Sequence, residues 1–316
     1  MRKFLKIVGK VIAALVAVVI ATLATTTIVN ASASRSEAGK IKSYGQRVSV
    51  DGKNMNVLIQ GEGAETVVLL PGFGTAAPAL DFTPLIAELA PHYRVVVVEP
   101  FGYGLSDTTD KARTTQNITT EIHTALADLN IDRYALMGHS IAGIYALDYA
   151  NRYRGELTSF VGIDSSVPTQ PGIDEALPVA AMKAAKNLGL TRILAAVAGD
   201  PYAGLPYDDD TKEQMKLLSL KNSMSATYSN EMEHFTTNFV AGQAQSFPRD
   251  LPVLEFAQKN NTDVEGWLAL HEEQVASVDN GELVQLDATH YLHHAKSKEI
   301  VENFTRFMAS VSENQK

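Results

Sequence analysis

Five short apolar runs constrain this chain most, at residues 66–70, 93–98, 134–137, 160–163 and 253–256. Each is too continuous for a strand with one wet face. Each therefore predicts a strand buried on both sides of a parallel sheet. Helical patterns lie between and after them, at 82–89, 118–129, 141–153, 264–275 and 300–308. Strand and helix in alternation predict an α/β fold, a mostly parallel central sheet with helices on both faces. Ahead of the first run, Val48, Val50, Met55, Val57 and Ile59 alternate around Asp51-Gly52, which predicts a β-hairpin with a two-residue turn. No internal repeat is visible.

The alternation stops between Pro168 and Pro248. Helices are expected at 176–188, 212–220 and 226–239, with no clear strand. The segment 168–248 is expected to form a helical cap inserted into a core of 44–167 and 249–316. Such a cap would lie over the strand ends, where open α/β sheets bind ligands.

The N-terminus sets a second constraint. Arg2, Lys3, Lys6 and Lys10 precede 19 uncharged residues, Val11 to Val29. As a helix they would span roughly 28 Å, close to the thickness of a bilayer core. The basic flank should stay inside, leaving everything after Asn30 outside. Two expectations compete for residues 1–34. One is a signal peptide cut near Ala33, after the small residues Ala31-Ser32-Ala33, giving a secreted protein. The other is an uncleaved single-pass anchor, favoured by the length of the apolar stretch, with the catalytic part outside the cell membrane. Residues 35–43, small and polar, would be a tether.

Composition narrows the chemistry. The net charge of −9 argues against nucleic acid or an anionic membrane as the main partner. A 45% hydrophobic, 20% charged chain is too apolar for disorder. With no cysteine, there is no disulfide, no thiol nucleophile and no cysteine-ligated zinc.

In Met137-Gly138-His139-Ser140-Ile141-Ala142-Gly143, an apolar strand runs into a serine and a helical pattern starts directly after it. A serine on such a turn is held strained with its oxygen exposed, and its neighbours must be small. The helix N-terminus supplies free N–H groups to a developing oxyanion. This segment resembles the nucleophile elbow of the α/β-hydrolase superfamily. Ala142 stands where that pattern has glycine, with Gly143 next. The family-like segments cover most of the chain from about residue 44, except the cap.

Leu69-Leu70-Pro71-Gly72-Phe73-Gly74 resembles the family's oxyanion loop, with Pro71 in place of histidine. The resemblance implies that the backbone N–H groups of Phe73 and Ile141 form the oxyanion hole. The segment from Glu99 to Asp107 resembles the Gly-x-Gly-x-Ser turn, whose role is structural.

The resemblance also implies a histidine base after the last strand. His290 fits, following the strand pattern 283–286, although Thr289 replaces the usual glycine. His293 and His294 are expected on the next turn, and His139 is expected to pack on the sheet end. The acid has two main candidates. Most relatives carry it after the strand at 253–256, where the matching position is Asn261, an amide; Asp263 would serve if that loop were longer. Asp164 ends the strand at 160–163, as in pancreatic-type lipases and some dehalogenases, and is the preferred choice. Glu255 and Glu265 are more distant alternatives.

No metal or cofactor is expected. His290 and His294 have the spacing of a helical zinc pair, but Tyr291 stands where that pattern needs glutamate. Asp208-Asp209-Asp210 lacks the alternating ligands of a calcium loop. The expected function is a serine hydrolase cleaving a small ester or amide through an acyl-enzyme on Ser140. Serine at the elbow argues against dehalogenase or epoxide hydrolase chemistry, which uses aspartate there in this superfamily. An aminopeptidase or acyltransferase of the same fold would look alike. A non-catalytic binding protein is the rival from another class.

Overall fold

The computed structural model describes residues 1–174 and 177–314. Its strands are β1 (Gln46–Val50), β2 (Lys53–Gln60), β3 (Thr66–Leu70), β4 (Arg94–Glu99), β5 (Tyr134–His139), β6 (Leu157–Ile163), β7 (Val253–Gln258) and β8 (Gly281–Leu286). Its helices begin with α1 (Arg2–Ala38), α2 (Pro78–Asp81), α3 (Thr83–Leu89), α4 (Thr115–Asp128) and α5 (Ala142–Arg152). There follow α6 (Val179–Asn187), α7 (Leu190–Ala198), α8 (Asp209–Asn222), α9 (Ala226–Glu233) and α10 (Phe235–Gln243). The last are α11 (Trp267–Ala276), α12 (Leu292–Ala295) and α13 (Ser297–Asn314). The chain divides into two compact units, Met1–Ile41 with Pro178–Ala203, and Lys42–Leu177 with Gly204–Lys316.

The larger unit holds one eight-stranded sheet, ordered β1-β2-β4-β3-β5-β6-β7-β8. β1 and β2 pair antiparallel through a turn at Asp51 and Gly52, both at positive φ. β2 runs antiparallel to β4, and every pair from β4 to β8 is parallel. The continuous apolar runs serve both faces: Val68, Leu70 and Leu136 join a core with α4 and α5. Val67, Leu69 and Met137 join a second core with α3 and α13.

Helices α8, α9 and α10 are tied to the sheet unit by buried polar bonds. Asn222 Nδ2 donates to the carbonyls of Ala76 and Gly104. The Glu231 carboxylate accepts from Tyr103 and Tyr145 hydroxyls. Asn238 spans Arg113 and Thr115. Asp208 caps α8, accepting from the Thr211 N–H at 2.7 Å.

Three helix boundaries expected from the sequence need correction. The segment 168–248 stands between β6 and β7; its part Pro178–Ala203 groups with the N-terminal helix, and it includes α7, which the sequence analysis did not expect. Within it, the helix expected from Ala176 starts at Val179; Ala176 itself lies outside the described residues. The helix expected over 226–239 breaks at His234, because the His234 Nδ1 takes the Asn230 carbonyl and its N–H goes to Glu231 instead. Residues 35–38, expected in a tether, continue α1. Arg192 holds that end, bonding Ser34 and both carboxylate oxygens of Glu37.

Glu99 ends β4 fully buried and organises the turn after it. Its oxygens accept from Tyr44 Oη, Asn56 Nδ2 and the N–H groups of Ala79 and Leu105. Burial pushes its carboxyl up, and these four donors pull it back. Gly104 has φ +50°, and a Cβ there would lie 1.8 Å from Glu99 Oε2. Gly104→Ala should therefore lower stability by at least about 3 kcal/mol through backbone strain and displacement of this carboxylate. A fall in the urea midpoint at unchanged m checks it.

Candidate active site

Ser140 lies between β5 and α5 with φ +53°, a left-handed conformation that costs an L-residue roughly 1–2 kcal/mol. Besides the turn's own Gly143 N–H to Ser140 O bond, two backbone bonds to the end of β6 and the loop after it hold it there. Its N–H donates to Ile163 O at 3.2 Å, and its carbonyl accepts from the Ser166 N–H at 2.8 Å. Small neighbours make the turn possible. A Cβ on Gly138 would lie 2.9 Å from Ala142 Cβ, and one on Gly143 would lie 2.5 Å from Ser166 O. Alanine at 142 is thus accommodated by glycine at 138.

The loop after β3 comes equally close. A Cβ on Gly72 would lie 2.9 Å from Ser140 Cβ and 2.5 Å from His139 Nδ1. Among the described residues, neither the Phe73 nor the Ile141 N–H donates a hydrogen bond. Both are available to a ligand oxygen. Phe73 also packs against rings on α9 and α10, Tyr228 at 4.3 Å and Phe235 at 4.5 Å between centroids.

His290 occupies the loop between β8 and α12, and its Nδ1 lies 2.7 Å from Asp164 Oδ2. With Nδ1 so committed, Nε2 is the nitrogen left for proton transfer. The His290 carbonyl meets His139 Nε2 at 3.2 Å, and the two rings are 4.7 Å apart. His290 therefore stands beside the residue preceding Ser140. His139 packs on the sheet end as expected, and burial drives its pKa well below the ordinary value.

Asp164 follows β6 at φ +46° and is fully buried. Its second oxygen, Oδ1, accepts from the Gln258 N–H and from Trp267 Nε1, both at 2.7 Å. The sequence reading missed Trp267. It is the chain's single tryptophan and starts α11, and that rarity is the one signal the sequence carries for it.

The other acid candidates stand elsewhere. Asn261 Oδ1 closes its own loop, accepting from the Asp263 and Val264 N–H groups, and Asp263 is exposed beside it. Glu265 is exposed as well. Glu255 is fully buried within β7, 2.9 Å from Ser165 Oγ. Burial, with the nearby Asp164 charge, pushes it up to about 8, against the hydrogen bond from Ser165.

His293 and His294 lie on α12 and share Asp81, with Nε2 atoms 2.7 and 2.9 Å from its two oxygens. Burial pushes the Asp81 carboxyl up, but the two imidazoles outweigh it and hold the group below the usual carboxylate range. The three donor atoms lie within 4.8 Å of one another, as metal ligands would. Each imidazole spends its Nε2 on the carboxylate, joining α2 to α12, while the buried His293 Nδ1 has no hydrogen-bond partner among the described residues. A separate cavity, of 440 Å³, opens at the amino ends of β3, β4 and β5, remote from Ser140.

The family profile described as "Alpha/beta hydrolase family" matches residues 67–302. The chain is 27% identical over 296 residues to the uncharacterized protein YbdG of Bacillus subtilis strain 168, covering 87% of this chain and 89% of that one. Over a shorter stretch of 106 residues it is 38% identical to RutD of Pantoea ananatis, a carbamate hydrolase by name, covering 33% of this chain and 38% of that one. The crystal structure of an enol-lactonase from Burkholderia xenovorans LB400 superposes with a TM-score of 0.62 at 19% identity, over 84% of this chain and 100% of that one. This last likeness is one of fold.

The Glu255 shift carries a pH dependence of stability. Between its ordinary value of 4.5 and about 8, the unfolded chain releases this proton while the folded chain keeps it. Stability contributed by the neutral carboxyl is complete below 4.5 and is lost as the pH rises through about 8. Glu255→Gln should remove that decline, gaining on the order of a few kcal/mol relative to wild type at the alkaline end. Urea unfolding from pH 4.5 to 9 checks it; parallel pH profiles for the two proteins would refute it.

Proposed function

Because this chain belongs to the alpha/beta hydrolase family, we propose that it is a serine hydrolase of a small carboxylic ester or amide, with Ser140 as nucleophile. The observation that carries this reading is the 2.7 Å contact between His290 Nδ1 and the buried Asp164, formed beside a serine held at positive φ.

In this reading His290 Nε2 takes the Ser140 hydroxyl proton as Oγ bonds to the acyl carbon. Asp164 fixes the imidazole tautomer and stabilises the imidazolium, while Gln258 and Trp267 keep the acid from turning away. The free N–H groups of Phe73 and Ile141 receive the oxyanion. As the tetrahedral intermediate collapses, His290 gives its proton to the leaving oxygen or nitrogen. Water then attacks the acyl-enzyme with His290 again as base, returning the acid and Ser140. Phe73, Tyr228 and Phe235 supply an apolar wall near the oxyanion loop, suited to a small acyl or alkyl group. RutD, a carbamate hydrolase by name, lies within acyl-transfer chemistry.

We also read residues 2–38 as an uncleaved anchor that leaves the catalytic unit outside the membrane. α1 is long and apolar enough to cross a bilayer, and among the described residues none of its apolar window is buried. The Ala33–Ser34 bond lies within the helix, and Arg192 grips residues on both sides of it, Asn30 before and Ser34 and Glu37 after.

A fluorophosphonate probe should label the wild-type protein and leave Ser140→Ala unlabelled. On a panel of short-chain esters, Asp164→Asn should lower kcat by about 10²–10⁴-fold, while Asp263→Asn stays within about twofold of wild type. Trp267→Phe should fall between them, about 3–30-fold down, having lost one charge-assisted hydrogen bond. No labelling of folded wild-type protein would refute the serine hydrolase reading.

A further inference from the structure

The helix α7 presents an apolar face that the protein leaves uncovered. Leu190, Ile193, Leu194 and Val197 follow the spacing i, i+3, i+4, i+7 and are 39%, 50%, 67% and 76% exposed. At about 100° per residue they form one stripe roughly 100° wide. Arg192 points the other way, into α1. Its Nε donates to Asn30 Oδ1 at 2.6 Å, and its terminal nitrogens bond Ser34 and Glu37. These partners, spaced four and three residues apart, lie on one face of α1. Glu37 is held below the usual carboxylate range by the Arg192 hydrogen bond.

The turn before α7 is fixed on the same helix. Gly189 has φ +76°, and a Cβ there would lie 2.7 Å from Thr26 O. Asn30 Nδ2 donates to the Lys186 carbonyl at 3.1 Å. The α6–α7 hairpin thus meets α1 between Thr26 and Glu37, about 16 Å of helix. Thr26 lies three residues before Val29, the last apolar residue ahead of the polar and small run Asn30 to Ser34. A bilayer around α1 would have its outer boundary where α7 begins.

We propose that the α6–α7 hairpin is a membrane-interface element, with the stripe Leu190, Ile193, Leu194 and Val197 seated at the boundary of headgroups and acyl chains in the outer leaflet. The proposal rests on reading α1 as an uncleaved anchor. The lipid surface is favoured as occupant by continuity. The stripe and the uncovered face of α1 belong to one compact unit, and a bilayer covering the second reaches the first. The pattern is that of an interfacial helix, with its apolar side open and its charges turned away. Lys183, exposed on α6, is placed to meet anionic headgroups.

The cysteine-free chain permits a direct test. Single variants Val18→Cys, Leu194→Cys, Val197→Cys and Lys298→Cys of the full-length protein are labelled with an environment-sensitive fluorophore. They are reconstituted into vesicles of phosphatidylcholine and phosphatidylglycerol carrying spin-labelled lipids. The expected result is quenching at positions 194 and 197 by a spin label near the headgroups, at least about twofold stronger than at Lys298 on α13, with position 18 quenched by a label at the chain end. Quenching at 18 with water-like labels at 194 and 197 overturns the proposal and leaves the anchor intact. No quenching at 18 removes the anchor, and the proposal falls with it. Labels at 194 and 197 shielded from lipid and water alike, with crosslinking between copies through Val197→Cys, would make the stripe a self-association face and overturn the proposal.

Discussion

Two neighbouring parallel strands, β5 and β6, end on residues forced into the left-handed region, Ser140 at φ +53° and Asp164 at φ +46°. Neither is glycine, so each conformation costs energy that the surrounding structure must offset. The offset comes from mutual support. Ser140 N–H bonds Ile163 O, Ser166 N–H bonds Ser140 O, and Asp164 N–H bonds Phe256 O. Three strand ends are laced together by backbone bonds outside the regular ladder. The candidate site depends on this lacing, because it turns two side chains off the sheet edge in fixed directions. Loosening any one strand end would misaim both the serine and the acid.

Around that edge the chain buries charge only where partners are at hand. Asp164 is met by an imidazole, an amide and an indole. Asp81 is met by two imidazoles, and Glu99 by four donors. Glu255, with one serine hydroxyl and a carboxylate nearby, meets the cost of burial by holding its proton instead. Two of these acids show opposite outcomes: the two imidazoles hold Asp81 below the usual carboxylate range, while burial with few donors pushes Glu255 up to about 8.

The sheet was legible because parallel strands buried on both faces announce themselves as continuous apolar runs, and 66–70 reproduces β3 residue for residue. The serine turn was legible because strand, glycine, serine and helix must be adjacent in sequence. The pairing of His290 with Asp164 was open among several acids, since residues 126 apart meet only through sheet order. Asn261 drew attention to a loop in which its amide oxygen serves that loop's own backbone. Trp267, and the Asp81 cluster with His293 and His294, were invisible for the same reason of distance along the chain. α7 has a clear apolar stripe but spans only nine residues, between Gly189 and Gly199, and its anchor on α1 lies far off in sequence, through Arg192 to Asn30 (162 apart) and Glu37 (155 apart).

One consequence of the Trp267 contact concerns how this protein reports on itself. All indole emission comes from one ring, 4% exposed and bonded through Nε1 to Asp164. The intrinsic fluorescence of the chain is therefore a local gauge of the carboxylate's surroundings, silent about α1 and the α6–α7 hairpin. A spectral shift on ligand entry or on heating would time the loosening of the acid's cradle, while circular dichroism followed the helices elsewhere. Disagreement between the two signals would resolve the order in which the site and the rest of the chain come apart.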